Sequence, residues 1–133
     1  MNGENWQFLR YRDKNGNDPV WDFLQKQMND AERSQVAARM QMVMKRGMLA
    51  VNGDIVENLG KNLYAMRIPN TLNNPRIFMC NLSKLRPKCF VMLHAYRKHT
   101  EEIPEPEIRI ARKKLKEVQD DPNQYIIEAR NGK

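Results

Sequence analysis

The sequence predicts a single α+β domain, and the order of its segments supports this class. A strand-like run and two short amphipathic segments come first, three strand-like runs follow, and a longer amphipathic segment comes next. Helices and strands that are grouped in this way are typical of α+β folds. The 133 residues suffice for one domain and are few for two. We predict one domain over residues 1–121 and a C-terminal tail over residues 122–133.

The first third of the chain predicts one strand and two helices. Residues 6–12 partly alternate between apolar and polar side chains, as a strand does. Asp18 followed by Pro19 is typical of a helix N-cap with proline at the first helical position. Asn29 with Glu32 three residues later has the pattern of a capping box. Because the two helices are short and closely connected, we expect an antiparallel helical hairpin.

Three further strands are predicted, at residues 63–68, 76–81 and 89–97. Short connections between sequential strands favour antiparallel pairing. Arg67 ends the first of these strands and Arg76 begins the second, so both are expected at one end of the sheet. Lys98 follows the third strand, which returns to the same end. Three cations from distant positions are therefore expected to converge.

Other candidate residues lie near these cations. Strand alternation places His94 and Tyr96 on the same face as Lys98 if the third strand stays regular. A proton-transfer role for His94 and base stacking for Tyr96 are possible, and the alternatives are a hydrogen-bonded structural histidine and core packing. We expect further phosphate contacts from basic residues around this sheet and on the last predicted helix: Lys84, Arg86, Lys88, Arg97, His99 and Arg112.

The composition favours a polyanionic partner. Lys and Arg number 23 against 16 Asp and Glu, which gives a net charge of +7. Such a balance is typical of proteins that bind nucleic acid or an acidic protein. Cys80 and Cys89 form neither a disulfide framework nor a zinc-site pattern, and no apolar run has membrane-spanning length. We expect a cytoplasmic protein that uses no metal or other cofactor and binds no membrane.

A convergent group of cations suits the chemistry of RNA cleavage. RNA carries its own nucleophile, the 2′-hydroxyl, so the protein must stabilise the pentacoordinate phosphate and move two protons. Preorganised cations that bind the transition state better than the substrate supply several kcal/mol of this stabilisation.

The chain resembles the HigB-like, phage-related branch of the RelE/ParE toxin superfamily. The matching stretches occur in the expected order within residues 6–118, at positions 13–24, 59–68, 75–78, 93–100 and 108–112. The resemblance implies a small curved antiparallel sheet with two N-terminal helices packed on it and a C-terminal helix. It implies an mRNA interferase, a metal-independent endoribonuclease that acts on ribosome-bound message. It also implies a cognate helix-turn-helix antitoxin.

The resemblance carries catalytic roles to Arg67, Arg76 and Lys98, and more weakly to Tyr96 and His94. Two positions depart from the family pattern. The family has glutamate where this chain has Ala65, and it often has a second lysine where this chain has His99. The first change removes a carboxylate from the expected site, and the second replaces a permanent charge by a proton carrier.

Two other functions fit parts of the sequence. A ParE-like inhibitor of DNA gyrase would share the fold without cleaving RNA, although that branch generally lacks the nuclease cations. A non-catalytic, phage-derived protein that binds nucleic acid or an antitoxin would be consistent with Ala65. A gyrase supercoiling assay and an RNA cleavage assay separate these possibilities.

Overall fold

The computed structural model describes residues 5–69, 75–97 and 103–127, and it confirms the α+β class. The elements in chain order are β1 (Gln7–Tyr11), α1 (Pro19–Lys26), α2 (Asp30–Arg46), a 3₁₀ helix (Gly47–Ala50), β2 (Val56–Gly60), β3 (Leu63–Arg67), β4 (Arg76–Asn81), β5 (Cys89–Tyr96), α3 (Glu105–Asp120), α4 (Pro122–Tyr125) and β6 (Ile126–Ile127). None of these helices has both the length and the apolar composition that a membrane crossing requires, as far as the described residues go.

The six strands form one open sheet in the order β2-β3-β4-β5-β1-β6. The strands β3, β4 and β5 pair antiparallel, as their short connections predict. The sheet as a whole is mixed, because β1 lies parallel to β5. Parallel neighbours need a long crossover, and the chain between β1 and β5 includes both N-terminal helices. The arrangement is consistent with the RelE-like fold that the resemblance implies.

Helices cover both faces of the sheet. The α1–α2 face is lined by buried residues of these helices and of the strands, including Val20, Val43 and Met66. On the α3 face, Leu115 packs with buried strand residues such as Phe78. The helix starts follow the sequence signals. The Asp18 carboxylate accepts a hydrogen bond from the Trp21 amide, and Asn29 and Glu32 form the reciprocal capping box.

Strand β2 was missed by the sequence patterns, because its side chains do not alternate cleanly between apolar and polar. It pairs antiparallel with β3 through a two-residue turn. Lys61 and Asn62 in this turn have φ angles of 51° and 62°. Two central residues with positive φ define the turn that matches strand twist in a tight hairpin. The hairpin places Glu57 directly opposite Ala65.

A β-bulge in β5 determines which side chains face α3. Phe78 pairs with His94 whereas Met79 pairs with Met92, so Leu93 is an extra residue. The bulge reverses the alternation, since Met92 packs on the α1–α2 face and Tyr96 packs on the α3 face. A regular strand would have placed Met92 and Tyr96 on the same face.

The described part of the tail docks on the domain, a point that the sequence left open. Strand β6 pairs antiparallel with the outer edge of β1. The ring of Tyr125 stacks on Tyr11, with centroids 6.0 Å apart and planes at 7°. Arg12 donates hydrogen bonds to the carbonyl oxygens of Asn123 and Gln124. These contacts fix residues 122–127 along the sheet edge.

Candidate nucleic-acid interface

Arg67, Arg76 and Tyr96 form a row across three adjacent strands, which we call the arginine–tyrosine row. Arg67 pairs in register with Arg76, and Arg76 pairs with Tyr96. The two arginines therefore lie at one end of the sheet, as the strand directions predict. Alternation from Ala65 and Phe78, which pack on the α3 face, places both arginines on that same face. The row brings two guanidinium groups and one phenol together.

A carboxylate that sequence reasoning missed adjoins this row. Glu57 Oε1 lies 3.5 Å from Arg76 Nε, and the Arg76 side chain is only 4% exposed. Burial lowers the pKa of Arg76 and the neighbouring Arg67 lowers it further, whereas Glu57 opposes both effects. Arg67 donates a hydrogen bond to the Gly53 carbonyl oxygen at 3.2 Å. Glu57 thus places a carboxylate opposite Ala65, the position at which the resemblance implies a glutamate.

The register explains why Glu57 was missed. Its position opposite Ala65 depends on strand β2, which the sequence patterns did not predict. Two features of the sequence together could have indicated Glu57. Ala65 stands where the resemblance implies a glutamate, and Glu57 precedes it by eight residues, a spacing that a short hairpin can bridge.

Tyr96 contributes a phenol hydroxyl with unused hydrogen-bonding capacity. The residue is 6% exposed, and its Oη has no hydrogen-bond partner among the described residues. Burial raises the pKa of Tyr96 to about 12, although Arg76 acts in the opposite direction. The hydroxyl therefore stays protonated near neutral pH and is available as a donor. Its ring stacks on Phe78 at 5.4 Å, which fixes its direction.

His94 connects β5 to α3. Its Nε2 lies 2.6 Å from Glu107 Oε1, and its Nδ1 lies 3.4 Å from Lys114 Nζ. Because a lysine ammonium only donates, Nδ1 accepts and Nε2 carries the proton that is donated to Glu107. Burial lowers the pKa of His94, Glu107 raises it, and Lys114 lowers it. Both ring nitrogens are engaged, which matches the interpretation of His94 as a hydrogen-bonded structural histidine.

Arg97 and Arg112, which sequence reasoning placed among the phosphate contacts, hold the fold together. The Arg97 guanidinium forms two hydrogen bonds of 2.8 Å with the Glu32 carboxylate and also donates to the Gln27 carbonyl oxygen. Arg112 donates to the carbonyl oxygens of Leu59 and Gly60 at 3.1 and 3.2 Å. Arg97 thereby joins the end of β5 to the start of α2, and Arg112 joins α3 to the β2–β3 hairpin.

Three further predicted phosphate contacts lie away from this site. Strand β4 runs from Arg76 to Asn81, and the loop with Lys84, Arg86 and Lys88 follows its far end. At about 3.3 Å per residue, the length of β4 separates this loop from the row by roughly 17 Å. Lys98 and His99 lie outside the described residues. No group of three or more His, Cys, Asp or Glu side chains within the described ranges is placed to hold a metal ion.

The protein is therefore a small α+β protein with a basic site at one end of its sheet. The family of phage-derived proteins described as "Phage derived protein Gp49-like (DUF891)" matches residues 22–116, which is more than half of the chain. The chain therefore belongs to this family, which is related to RelE and to toxin–antitoxin systems. The matched range contains the arginine–tyrosine row and Glu57. No curated protein is significantly similar to the chain in sequence.

Proposed function

We propose that this protein is the toxin of a type II toxin–antitoxin system and that it cleaves mRNA at the arginine–tyrosine row. The observation that carries the proposal is the cross-strand register of Arg67, Arg76 and Tyr96 on one sheet face. The finer assignments, a HigB-like activity, ribosome-bound message as the substrate and a helix-turn-helix antitoxin as the partner, come from the resemblance and belong to this proposal.

Arg76 is the group best placed to bind the scissile phosphate. Its guanidinium is planar and nearly buried, so its donors are held in a fixed direction before RNA arrives. The repulsion from Arg67 is relieved when an anion binds between the two groups. The charge that develops on the pentacoordinate phosphate strengthens these contacts, which is the condition for catalysis by electrostatic stabilisation.

Glu57 and Tyr96 supply oxygen atoms for the proton transfers and for substrate binding. The Glu57 side chain is 33% exposed, although its Oε1 is buried near Arg76. The other carboxylate oxygen accepts the proton of the 2′-hydroxyl as that hydroxyl oxygen attacks phosphorus. Tyr96 donates a hydrogen bond to a phosphate oxygen once RNA binding exposes its hydroxyl, which is buried in the free protein. Lys98, which lies outside the described residues, stays the predicted donor of the proton that the 5′-oxygen needs when its bond to phosphorus breaks.

Inducible expression in a bacterial host tests this function. The wild-type chain is expected to stop growth and to produce new RNA 5′ ends within coding regions, whereas Arg67→Ala is expected to restore growth. Lys45→Ala, which removes an exposed cation at the opposite end of the sheet, serves as the matched control and is expected to remain toxic. Growth arrest with intact messages, or no effect from soluble wild-type protein, would contradict the proposal.

A further inference from the structure

The end of the sheet opposite the arginine–tyrosine row carries a second surface, which we call the distal surface. Its parts meet at Asn81, the last residue of β4. Asn81 exchanges hydrogen bonds with Asn62 of the β2–β3 turn at 2.9 Å, and its side-chain nitrogen lies 3.3 Å from the Met48 sulfur. The 3₁₀ helix, the β2–β3 turn and the loop between β4 and β5 are thereby held side by side.

Three apolar side chains are exposed on this surface. Leu49 is 82% exposed, Leu85 is 61% exposed and Met48 is 39% exposed. Each belongs to a short segment with internal backbone hydrogen bonds. Leu85 and Arg86 donate amide hydrogen bonds to the Leu82 carbonyl oxygen, and Val51 donates one to the Met48 carbonyl oxygen. Apolar side chains that are grouped and held in place on a surface are typical of protein interaction sites.

Leu85 stands between two pockets. The pocket on one side has a volume of about 230 Å³ and is lined by residues of the loop and of the docked tail, including Leu82, Pro122 and Ile126. The pocket on the other side has a volume of about 380 Å³ and is lined by Asn62, Cys80, Asn81 and Gln119 among others. Concave pockets of this kind are filled by side chains that project from a partner. A lipid surface fits an exposed leucine but leaves such pockets empty.

The charge of the distal surface defines the partner further. Four exposed cations belong to the segments that meet at this end of the sheet: Lys45, Arg46, Lys61 and Lys84. Carboxylates of nearby segments are engaged elsewhere, because Glu57 lies against Arg76, Asp120 pairs with Lys116 and Asp121 caps α4. The distal surface includes none of the described exposed aromatic residues on which RNA bases stack, since Trp21 packs against Arg10 elsewhere. Acidic protein fits this combination better than RNA.

We propose that the distal surface docks an acidic segment of a partner protein, whose apolar side chains pack on Leu85 and enter the larger of the two pockets. Glutamate and aspartate side chains of the segment pair with the surrounding lysines. A partner seated there leaves the arginine–tyrosine row uncovered, because the two sites lie at opposite ends of the sheet. The inference does not depend on RNA cleavage.

Fluorescence anisotropy with labelled synthetic peptides tests this docking on the full chain. The probe is a helical peptide of about 20 residues with leucines at helical spacing on one face and glutamates elsewhere. One matched peptide replaces the glutamates by lysine, and another replaces the leucines by serine. We expect the acidic leucine peptide to bind at least about tenfold more tightly than either matched peptide.

Matched protein variants locate the binding. Leu85→Ser and Lys84→Glu change exposed positions, and each is expected to weaken peptide binding by about tenfold or more. Arg67→Ala and Lys26→Glu change the opposite end of the sheet, where Arg97 contacts Gln27 beyond the end of β5. Both are expected to leave binding unchanged, so a failure at the RNA site is distinguishable from a failure here. Equal binding of the serine peptide, or binding that ignores Leu85→Ser, would overturn the proposal. It would also be overturned if RNA, or vesicles containing phosphatidylserine, bound through Leu85 and Lys84 more tightly than the acidic leucine peptide.

Discussion

Arg76 shows how the fold holds one guanidinium group in place at the end of the sheet. A buried guanidinium is costly unless it is paired, and Glu57 offsets part of this cost at 3.5 Å. Arg67 on the adjacent strand adds a repulsive charge, and burial and Arg67 together lower the pKa of Arg76. Two guanidinium groups with one carboxylate leave a positive balance in the row.

At the residue scale, Tyr96→Phe separates stability from activity. The hydroxyl is buried and has no hydrogen-bond partner in the described part of the chain, so its removal is expected to change the free energy of unfolding by less than about 1 kcal/mol. If the hydroxyl donates to RNA, the rate of RNA cleavage is expected to fall by about tenfold or more. Urea denaturation and a cleavage assay on the same preparation measure both quantities. A destabilised variant with unchanged activity would show that Tyr96 only packs the core.

The joint between β5 and α3 shows how an element positions the row. The bulge at Leu93 directs Tyr96 towards α3, and His94 ties the strand to that helix through Glu107 and Lys114. The rings of Phe78, His94 and Tyr96 stack on one another, so the contacts of His94 with α3 also restrain the Tyr96 ring. The orientation of Tyr96 therefore depends on the polar contacts of His94, which lies two residues earlier in β5.

At the element scale, this joint is expected to weaken on acidification. Burial lowers the pKa of His94 in the folded state, so the unfolded chain binds the proton more readily. Stability is therefore lost as the pH falls below about 6.5, the ordinary histidine value, towards the lower folded value. Urea denaturation at pH 7.5 and 5.5 measures the loss, which His94→Gln should reduce. An equal loss in both proteins would assign the pH dependence to other groups.

Part of this architecture was predictable from local patterns. The cap at Asp18 and the capping box of Asn29 and Glu32 are short-range signals, and short connections fixed the directions of β3, β4 and β5. The bulge at Leu93 and the parallel pairing of β1 with β5 depend on contacts between distant segments, which no local pattern encodes.

The candidate site was also predictable only in part. The convergence of Arg67 and Arg76 follows from strand direction, so the sequence predicted it. The pairing of Arg97 with Glu32 required the position of α2 relative to β5, and the role of Glu57 required strand β2. A basic residue at a strand end cannot be assigned to RNA or to a buried carboxylate until its neighbours in space are known.

The two proposed binding surfaces of the molecule lie at opposite ends of β4. The arginine–tyrosine row suits a phosphate backbone at one end, and the distal surface suits an acidic protein segment at the other. The net charge of +7 attracts polyanions to both ends, so charge alone does not distinguish them. The exposed leucines distinguish the distal surface, and the stacked rings next to Arg76 distinguish the arginine–tyrosine row.

At the scale of the whole molecule, RNA affinity is expected to fall as salt rises. Each phosphate contact to a single strand contributes about −0.7 to the slope of log affinity against log salt concentration. Arg67→Ala should reduce the steepness of this slope by roughly one such contact, whereas Lys45→Ala should leave it unchanged. Anisotropy titrations over a range of salt concentrations measure both slopes. Equal slopes for Arg67→Ala and the wild-type chain would place the phosphate contacts elsewhere.

Cleavage of end-labelled mRNA by the purified chain, free and on isolated ribosomes, tests the central claim most directly. With EDTA present, the wild-type protein is expected to cut the message and to leave a 2′,3′-cyclic phosphate, the product of attack by the 2′-hydroxyl. Arg67→Ala is expected to slow this cleavage by about 100-fold, and Lys45→Ala is expected not to slow it. Intact message with folded wild-type protein, or cleavage that persists unchanged in Arg67→Ala, would contradict the assignment of the row as an RNA-cleaving site.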